Sequence, residues 1–341
     1  MKLVIFANDL VSVTESHNPG TNKPIHRRNV ILNAIEQKLE NIDVCTVKDE
    51  IDKKWIAQVH HPDYLDFLEK CYSDFIRSGD LMWANDNYGV IPQSFCNRKS
   101  PNIPIYKLAG FYTNDFMTPI YADTFSNAMV SANQAYLAGK HLAQKRDDLI
   151  YVLATSPGHH AKYARYGGYC FINNAIVGAL SYIKERPDHQ IVILDLDYHA
   201  GNGTIEMIDN LGCANIETIS IHCDPTYDYP SHEGFSDERN FVLPQHCDWQ
   251  TYKSVLNQVC DIISDCTVDM LIISFGADTF KDDPDAHPLA KFTLDIDDYR
   301  EMGSIIKSYF GGMPKMIVQE GGYNFESVGD IVCNFISGIR S

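Results

Sequence analysis

The sequence predicts an α/β fold with a central parallel sheet flanked by helices. Three observations carry that prediction. Short, unbroken apolar runs rich in β-branched residues recur along the chain, as strands buried on both faces require. Segments of helical periodicity separate them, the pattern of parallel strands joined by right-handed crossovers. Histidine, aspartate and tyrosine gather just after the runs, at the carboxyl edge where open α/β sheets bind their ligands.

In chain order, Met1 to Ala7 reads as a first strand; it meets Asn8-Asp9 too early for a signal peptide. Pro24 to Arg28 leads into helical spacing over Asn29 to Glu36. Val59 to Glu69 reads as a loop entering a helix. His60 and His61 there are possible ligands, but helix-entry polarity with one ring buried is the favoured reading. From about 79 to 123 the periodicity lapses. Pro92, Pro101, Pro104 and Pro119 appear among many aromatics. This is too long for an ordinary connection and too aromatic for disorder, so it reads as an ordered insertion, an interface or a lid. A helix follows over Phe125 to Gln144. Then come strand Leu149–Leu153 into Ser156-Pro157-Gly158-His159-His160, helix Asn174–Lys184, and strand Gln190–Leu194. Strand Glu217–Ile221 runs into His222-Cys223-Asp224-Pro225, and helix Thr251–Ser264 precedes strand Met270–Phe275. Helix Asp297–Tyr309 precedes strand Met316–Gln319, which runs into Glu320-Gly321-Gly322-Tyr323.

Composition narrows the class. The chain has 341 residues, 45% hydrophobic and 21% charged, an ordinary globular balance at a length that fits one large α/β domain or two small ones; with the family resemblance given below, the expectation is a single domain over 1–341. No run of ~18 apolar residues predicts a membrane span. Ten cysteines stand singly without a C-x-x-C pair, which reads as reduced thiols and a cytoplasmic protein. The formal charge of −17 argues against nucleic acid and is compatible with a cationic partner.

The stretch Asp195-Leu196-Asp197-Tyr198-His199-Ala200-Gly201-Asn202-Gly203 holds the densest chemistry. Alternation along an extended chain puts Asp195, Asp197 and His199 on one side. Two carboxylates and an imidazole converging at a strand end are costly to desolvate without a compensating charge. A divalent metal supplies one, since both groups are zinc ligands; a polar strand exit in contact with water is the alternative. That several strand ends carry such residues favours the metal.

Pro157-Gly158-His159-His160, Gly168 to Asn174, Asp195 to Gly203, Gly276-Ala277-Asp278-Thr279 with Asp283-Pro284, and Glu320-Gly321-Gly322-Tyr323 together resemble the zinc-dependent deacetylases of the arginase–deacetylase superfamily. That superfamily includes histone deacetylases and bacterial acetylpolyamine amidohydrolases, and the likeness is greatest to the latter. The resemblance implies the arginase–deacetylase fold and one catalytic Zn²⁺ held by Asp197, His199 and Asp283. It implies His160 as general base and then acid, with His159 assisting electrostatically under the hold of Asp195. Asn202 stands where many relatives back the second histidine with Asp, and Ala200 where many carry a second His. Tyr323 would donate to the oxyanion. Tyr169 and Tyr229 would line a narrow substrate tunnel, with Gly168 and Gly322 allowing close backbone approach. Ser220, with backbone groups of Asp195, Asp197, His199 and Ile221, resembles a structural K⁺ site.

The reaction so implied is removal of acetyl groups from primary amines, N-acetylated polyamines or diamines first and protein acetyl-lysine second. The partners implied are a small cationic acetylated amine and a second copy of the chain, the insertion pairing two subunits. For a distal ammonium the insertion offers Asp115, with Met117 where another acid is expected.

Overall fold

The computed structural model describes residues 1–9, 23–99, 102–144, 149–231 and 238–341. Eight strands among them form one parallel sheet: β1 (Leu3–Ala7), β2 (Ile42–Thr46), β3 (Leu149–Val152), β4 (Ile191–Asp195), β5 (Ile216–Cys223), β6 (Asn240–Leu243), β7 (Met270–Phe275) and β8 (Lys315–Gln319). Their order across the sheet is β2-β1-β3-β8-β7-β4-β5-β6. The predicted α/β architecture and the predicted apolar runs are therefore present. The sequence reading passed over β2 and β6. Both are edge strands with few buried positions, so their apolar pattern is diluted.

The helices are α1 (Pro24–Lys38), α2 (Lys53–Ile56), α3 (Pro62–Ser78), α4 (Ala109–Tyr112), α5 (Thr124–Gln144), α6 (Asn174–Glu185), α7 (Asn202–Leu211), α8 (Trp249–Ser264), α9 (Asp298–Phe310) and α10 (Val328–Arg340). Helix α1 begins at Pro24, earlier than the apolar spacing suggests, because proline at a helix start has its φ preset and lacks only an N–H that would be orphaned. His61 caps α3, its Nδ1 accepting from the Asp63 N–H at 3.1 Å. His60 is buried, paired with Lys162 O and the Asn173 N–H, each at 3.0 Å. Helix entry with one buried ring is thus the arrangement found.

Alternation along the strands divides the core into two layers. Val4, Phe6, Ile150, Val152, Ile193, Ile272 and Val318 face α3, α5 and α6. Leu3, Ile5, Tyr151, Leu194, Ile273 and Ile317 face α1, α8, α9 and α10. Between α3 and α5, the described part of the insertion consists of α4 and short 3₁₀ turns at Leu81–Trp83 and Ile105–Leu108; Pro101 lies outside the described residues. It packs on α3 through aromatic pairs, with Tyr112 stacked on Phe67 at 4.7 Å and Tyr106 edge-on to Phe75. Its outer side chains Leu81, Met82, Tyr88, Phe95, Phe116 and Met117 are exposed.

Helices α9 and α10 meet backbone to backbone. A Cβ at Gly303 would overlap the Phe335 carbonyl oxygen, and one at Gly338 the Arg300 carbonyl oxygen. Gly303→Ala should therefore lower the urea-unfolding free energy by about 1–3 kcal/mol, despite the better helix propensity of alanine. Gly312→Ala, where a Cβ meets open space, should change it by less than about 0.5 kcal/mol. Equal stability of the two variants would contradict this packing.

Candidate active site

Four adjacent central strands, β3, β8, β7 and β4, deliver the chemistry to one place. The segment after β3 carries His159 and His160, and that after β8 carries Tyr323. Asp278 follows β7. β4 ends in Asp195 and leads to Asp197 and His199. Sequence-distant residues meet because their strands are neighbours, and each leaves the sheet at the same edge.

Ligand atoms of Asp197, His199 and Asp278 lie within 4.8 Å of one another. His199 Nδ1 is 3.5 Å from Asp197 Oδ1 and 3.6 Å from Asp278 Oδ2. These separations are long for hydrogen bonds. They are close to the ~3.4 Å between donors that share a tetrahedral ion at about 2.0–2.1 Å. Asp278 Oδ2 is moreover buried without a hydrogen-bond partner. An orphaned buried carboxylate oxygen facing an imidazole fits a group that could hold a divalent metal. Glycines make room for it: a Cβ at Gly276 would strike Asp197 and Asp278, and one at Gly321 would strike the same two carboxylates.

The expectation of Asp283 as the third ligand needs correcting. Its Oδ1 accepts from the Asp285 N–H at 3.0 Å, and its Oδ2 from the Tyr323 and Asn324 N–H groups at 2.6 and 3.0 Å. Three backbone N–H groups thus hold the carboxylate, two of them on Oδ2, and the residue anchors the Tyr323 turn. Asp278 was legible: it is the first carboxylate after the β7 run, in the position the other strand ends use for chemistry. A second group with metal-ligand spacing is His159, Cys170 and Glu320, in which Glu320 Oε1 is buried without a hydrogen-bond partner and the other ligand atoms are largely engaged. There His159 pairs with Asp195, Cys170 donates to Gly168 O, and Glu320 Oε2 takes the Gly158 and His159 N–H groups.

The adjacent histidines are in opposite states. Their rings are 3.9 Å apart, tilted by 41°. His159 Nδ1 lies 3.0 Å from Asp195 Oδ2 and its Nε2 3.6 Å from Asp197 Oδ1. Burial opposes charge on His159, but the Asp197 and Asp195 carboxylates override it and hold the ring up to about 10. For His160, burial and then the charges of His159 and His199 push the ring well below its ordinary range. His160 Nδ1 contacts Asn202 Oδ1 at 2.8 Å. An amide oxygen only accepts, so Nδ1 carries the proton and Nε2 keeps its lone pair.

These groups line a small cavity of about 210 Å³ with Tyr169, Tyr229 and Tyr323 in its wall. Tyr169 and Tyr323 have ring centres 6.1 Å apart, and Tyr229 stands edge-on to His160 at 4.7 Å. Burial, reinforced by Asp285, holds the Tyr323 hydroxyl well above its usual range, so it is a donor. Gly168 and Tyr169 both have positive φ, 53° and 64°, and a Cβ at Gly168 would overlap His160. Gly322, at φ 109°, closes on Ala277 in the same way.

The role expected of Asp115 also needs correcting. It lines the cavity, but its Oδ1 accepts from the Met117 and Thr118 N–H groups, each at 2.8 Å. Its Oδ2 accepts from Gly168 N–H at 2.8 Å and Thr118 Oγ1 at 3.1 Å. Four donors use up a carboxylate, so Asp115 fastens the Gly168–Tyr169 turn instead of awaiting an ammonium. Met117 is exposed. Ser220 is buried beside Asp195 in register on β5, its Oγ accepting from the Gly201 N–H at 3.3 Å. Ile221, next along β5, is buried. Sequence reasoning missed Asp228, whose Oδ1 lies 3.7 Å from His199 Nε2, and Asp285 in the cavity wall. Neither falls directly after an apolar run, the only signal available.

Residues 22–339 match the family described as histone deacetylase domain. Acetylpolyamine amidohydrolase 1 of Pseudomonas aeruginosa is 31% identical over 316 residues, covering 88% of this chain and 87% of the relative. Acetylpolyamine amidohydrolase 2 of the same organism is 32% identical over 298 residues, covering 84% and 82%. The crystal structure of an acetylpolyamine aminohydrolase from Burkholderia pseudomallei superposes with a TM-score of 0.85 at 24% identity, covering 100% of this chain and 99% of that one. It shares the fold.

The two aspartates separate by metal content. Asp278→Asn should lose the ability to retain an added divalent metal, zinc being the one tested, in metal analysis after dialysis. Asp283→Asn should retain it while turnover falls, because the Tyr323 turn loses its anchor. Zinc loss confined to the Asp283 variant would restore the ligand set that the sequence resemblance implies.

Proposed function

Because the chain belongs to the histone deacetylase domain family, with the arginase–deacetylase fold, we propose that it is a zinc-dependent amidohydrolase that removes acetyl groups from primary amines, acetylated polyamines or diamines above all. The observation that supports this most is the tandem histidines, one paired with the Asp195 carboxylate and the other with the Asn202 amide, beside a carboxylate–imidazole group with an orphaned oxygen. The relatives' name, acetylpolyamine amidohydrolase, supports the substrate class.

Asp197, His199 and Asp278 would hold the zinc. Bound there, zinc supplies Lewis acidity to the acetyl carbonyl and lowers the pKa of the attacking water. His160, neutral with its proton on Nδ1, takes the water's proton at Nε2 and returns it to the departing amine nitrogen. Asn202 keeps that tautomer. His159 stays charged against Asp195 and favours the negative charge that develops on the substrate. The Tyr323 hydroxyl donates to the forming oxyanion. Tyr169 and Tyr229 flank the methylene chain, and the backbone at Gly168 and Gly322 closes around it. A potassium ion beside Asp195 and Ser220 is a structural addition to this reading.

The insertion supports a homodimer. Its exposed apolar side chains, Met82 at 74% and Phe116 at 64% among them, are ones that a second copy could cover. Among the described residues no helix is long and apolar enough to cross a membrane, and with ten free cysteines we read the enzyme as cytoplasmic.

On zinc-loaded protein, acetylputrescine, acetylspermidine and acetylcadaverine should exceed acetyl-lysine peptides in kcat/KM. His160→Ala should cost roughly 10²–10⁴-fold in turnover and more than His159→Ala. Tyr323→Phe should cost about 10²–10³-fold with zinc retained. Near-normal rates in both histidine variants would refute the assignment, and a preference for acetyl-lysine peptides would move the substrate to proteins. Sedimentation should give twice the chain mass; a monomer at micromolar concentration would remove the dimer.

A further inference from the structure

The three residues proposed to hold zinc differ in what fixes them. Asp197 Oδ1 accepts from the His199 N–H at 2.9 Å and its Oδ2 from the Gly321 N–H at 2.8 Å. Asp278 Oδ1 accepts from the Tyr198 N–H at 3.1 Å. Backbone donors therefore set both aspartates. His199 has no such device for its ring. Its Nδ1 faces Asp197 and Asp278. Its other ring nitrogen, Nε2, meets a different carboxylate, Asp228, whose Oδ1 is 3.7 Å away.

Asp228 is itself held in place. It lies on the segment after β5, and its Oδ1 accepts from the Tyr229 N–H at 2.7 Å. Its Oδ2 accepts from the His287 N–H at 2.8 Å, on the segment after β7. Two separate parts of the cavity wall thus pin one carboxylate against the His199 ring. A carboxylate offers about four acceptor positions, so these two donors leave room for a third. At 3.7 Å the contact is longer than a hydrogen bond, and a ring movement of about half an ångström closes it. An imidazole that binds a metal through Nδ1 carries its one proton on Nε2. That proton needs an acceptor, and Asp228 stands where the acceptor is needed.

Resting on the zinc reading above, we propose that Asp228 is the positioning residue for His199, accepting the Nε2–H of the metal-bound imidazole and so fixing which nitrogen faces the metal. A carboxylate on the far side of the ring sets its orientation and makes the metal-facing nitrogen a stronger donor. Metal affinity is then governed in part by a residue outside the ligand set. The competing role for Asp228 is that of a brace, serving only the backbone at Tyr229 and His287.

The test measures zinc affinity by competition with a chelator. Asp228→Asn should bind zinc about 10- to 100-fold more weakly than wild type, the range for loss of a partner behind a metal-ligating histidine. A second readout uses nuclear magnetic resonance of zinc-loaded protein carrying isotope-labelled histidine. In wild type, His199 should be protonated at Nε2, with a proton protected from solvent exchange; in Asp228→Asn that protection should be lost. Zinc affinity in Asp228→Asn within about twofold of wild type overturns the proposal and leaves the brace. So does a wild-type spectrum in which His199 Nε2 is unprotonated or exchanges freely. If Asp228→Asn does not fold, the wild-type spectrum alone decides. If wild type itself retains no zinc, the metal reading fails and this proposal with it, whereas zinc held equally by both proteins sinks this proposal only.

Discussion

Asp195, Asp197 and Asp278 are each 1% exposed or less, at the ends of adjacent strands, and keeping their charge there is the constraint on which the rest of the site depends. Withdrawing carboxylates from water costs several kcal/mol apiece unless the environment replaces the lost solvation. No lysine or arginine does so among the described residues. The replacement is assembled from smaller parts. Backbone N–H groups serve the carboxylates: those of Asp197, His199 and Gly321 at 2.8–3.1 Å, and that of Tyr198 at 3.1 Å. Two imidazoles lie against them. The glycines at 276 and 321 let the chain come close enough for this to work.

The asymmetry of the histidine pair follows from the same constraint. His159 lies between two carboxylates and holds its proton; His160 lies beside His159 and an amide, and gives its proton up. Neither state is a property of histidine as such. Two adjacent residues of one type acquire opposite roles because one faces two carboxylates and the other is buried against an amide and the first ring. Asn202 sharpens the difference. A carboxylate there would favour the charged form of His160, whereas an amide orients the ring and leaves it neutral.

The central strands were legible because they are buried on both faces and so read as continuous apolar runs. Strands β2 and β6 were not, since an edge strand buries only part of one face. The site was legible as a set of strand ends: His159, His160, Asp197, His199 and Tyr323 all follow directly on a run. The choice of Asp283 over Asp278 shows where that legibility stops. Both are acids in one motif, and only the fold reveals that the backbone at 323–324 has claimed Asp283. Asp115 makes the same point. An acid near a cavity reads as a receptor for cations until its four donors are counted. Asp285 is the converse, an ordinary acid in sequence that the fold places in the cavity wall.

The hydrogen bonds of Asp115 have a thermodynamic consequence beyond local geometry. One carboxylate ties the insertion, through Met117 and Thr118, to the turn that presents Tyr169 to the cavity. The exposed Met117 and the Tyr169 turn are thus held by bonds to one side chain. Restricting either one removes conformations from the other, and part of any association free energy spent at Met117 reappears as preorganisation of the tunnel. Were two copies to associate through the insertion, as proposed, catalytic efficiency would become a function of protein concentration.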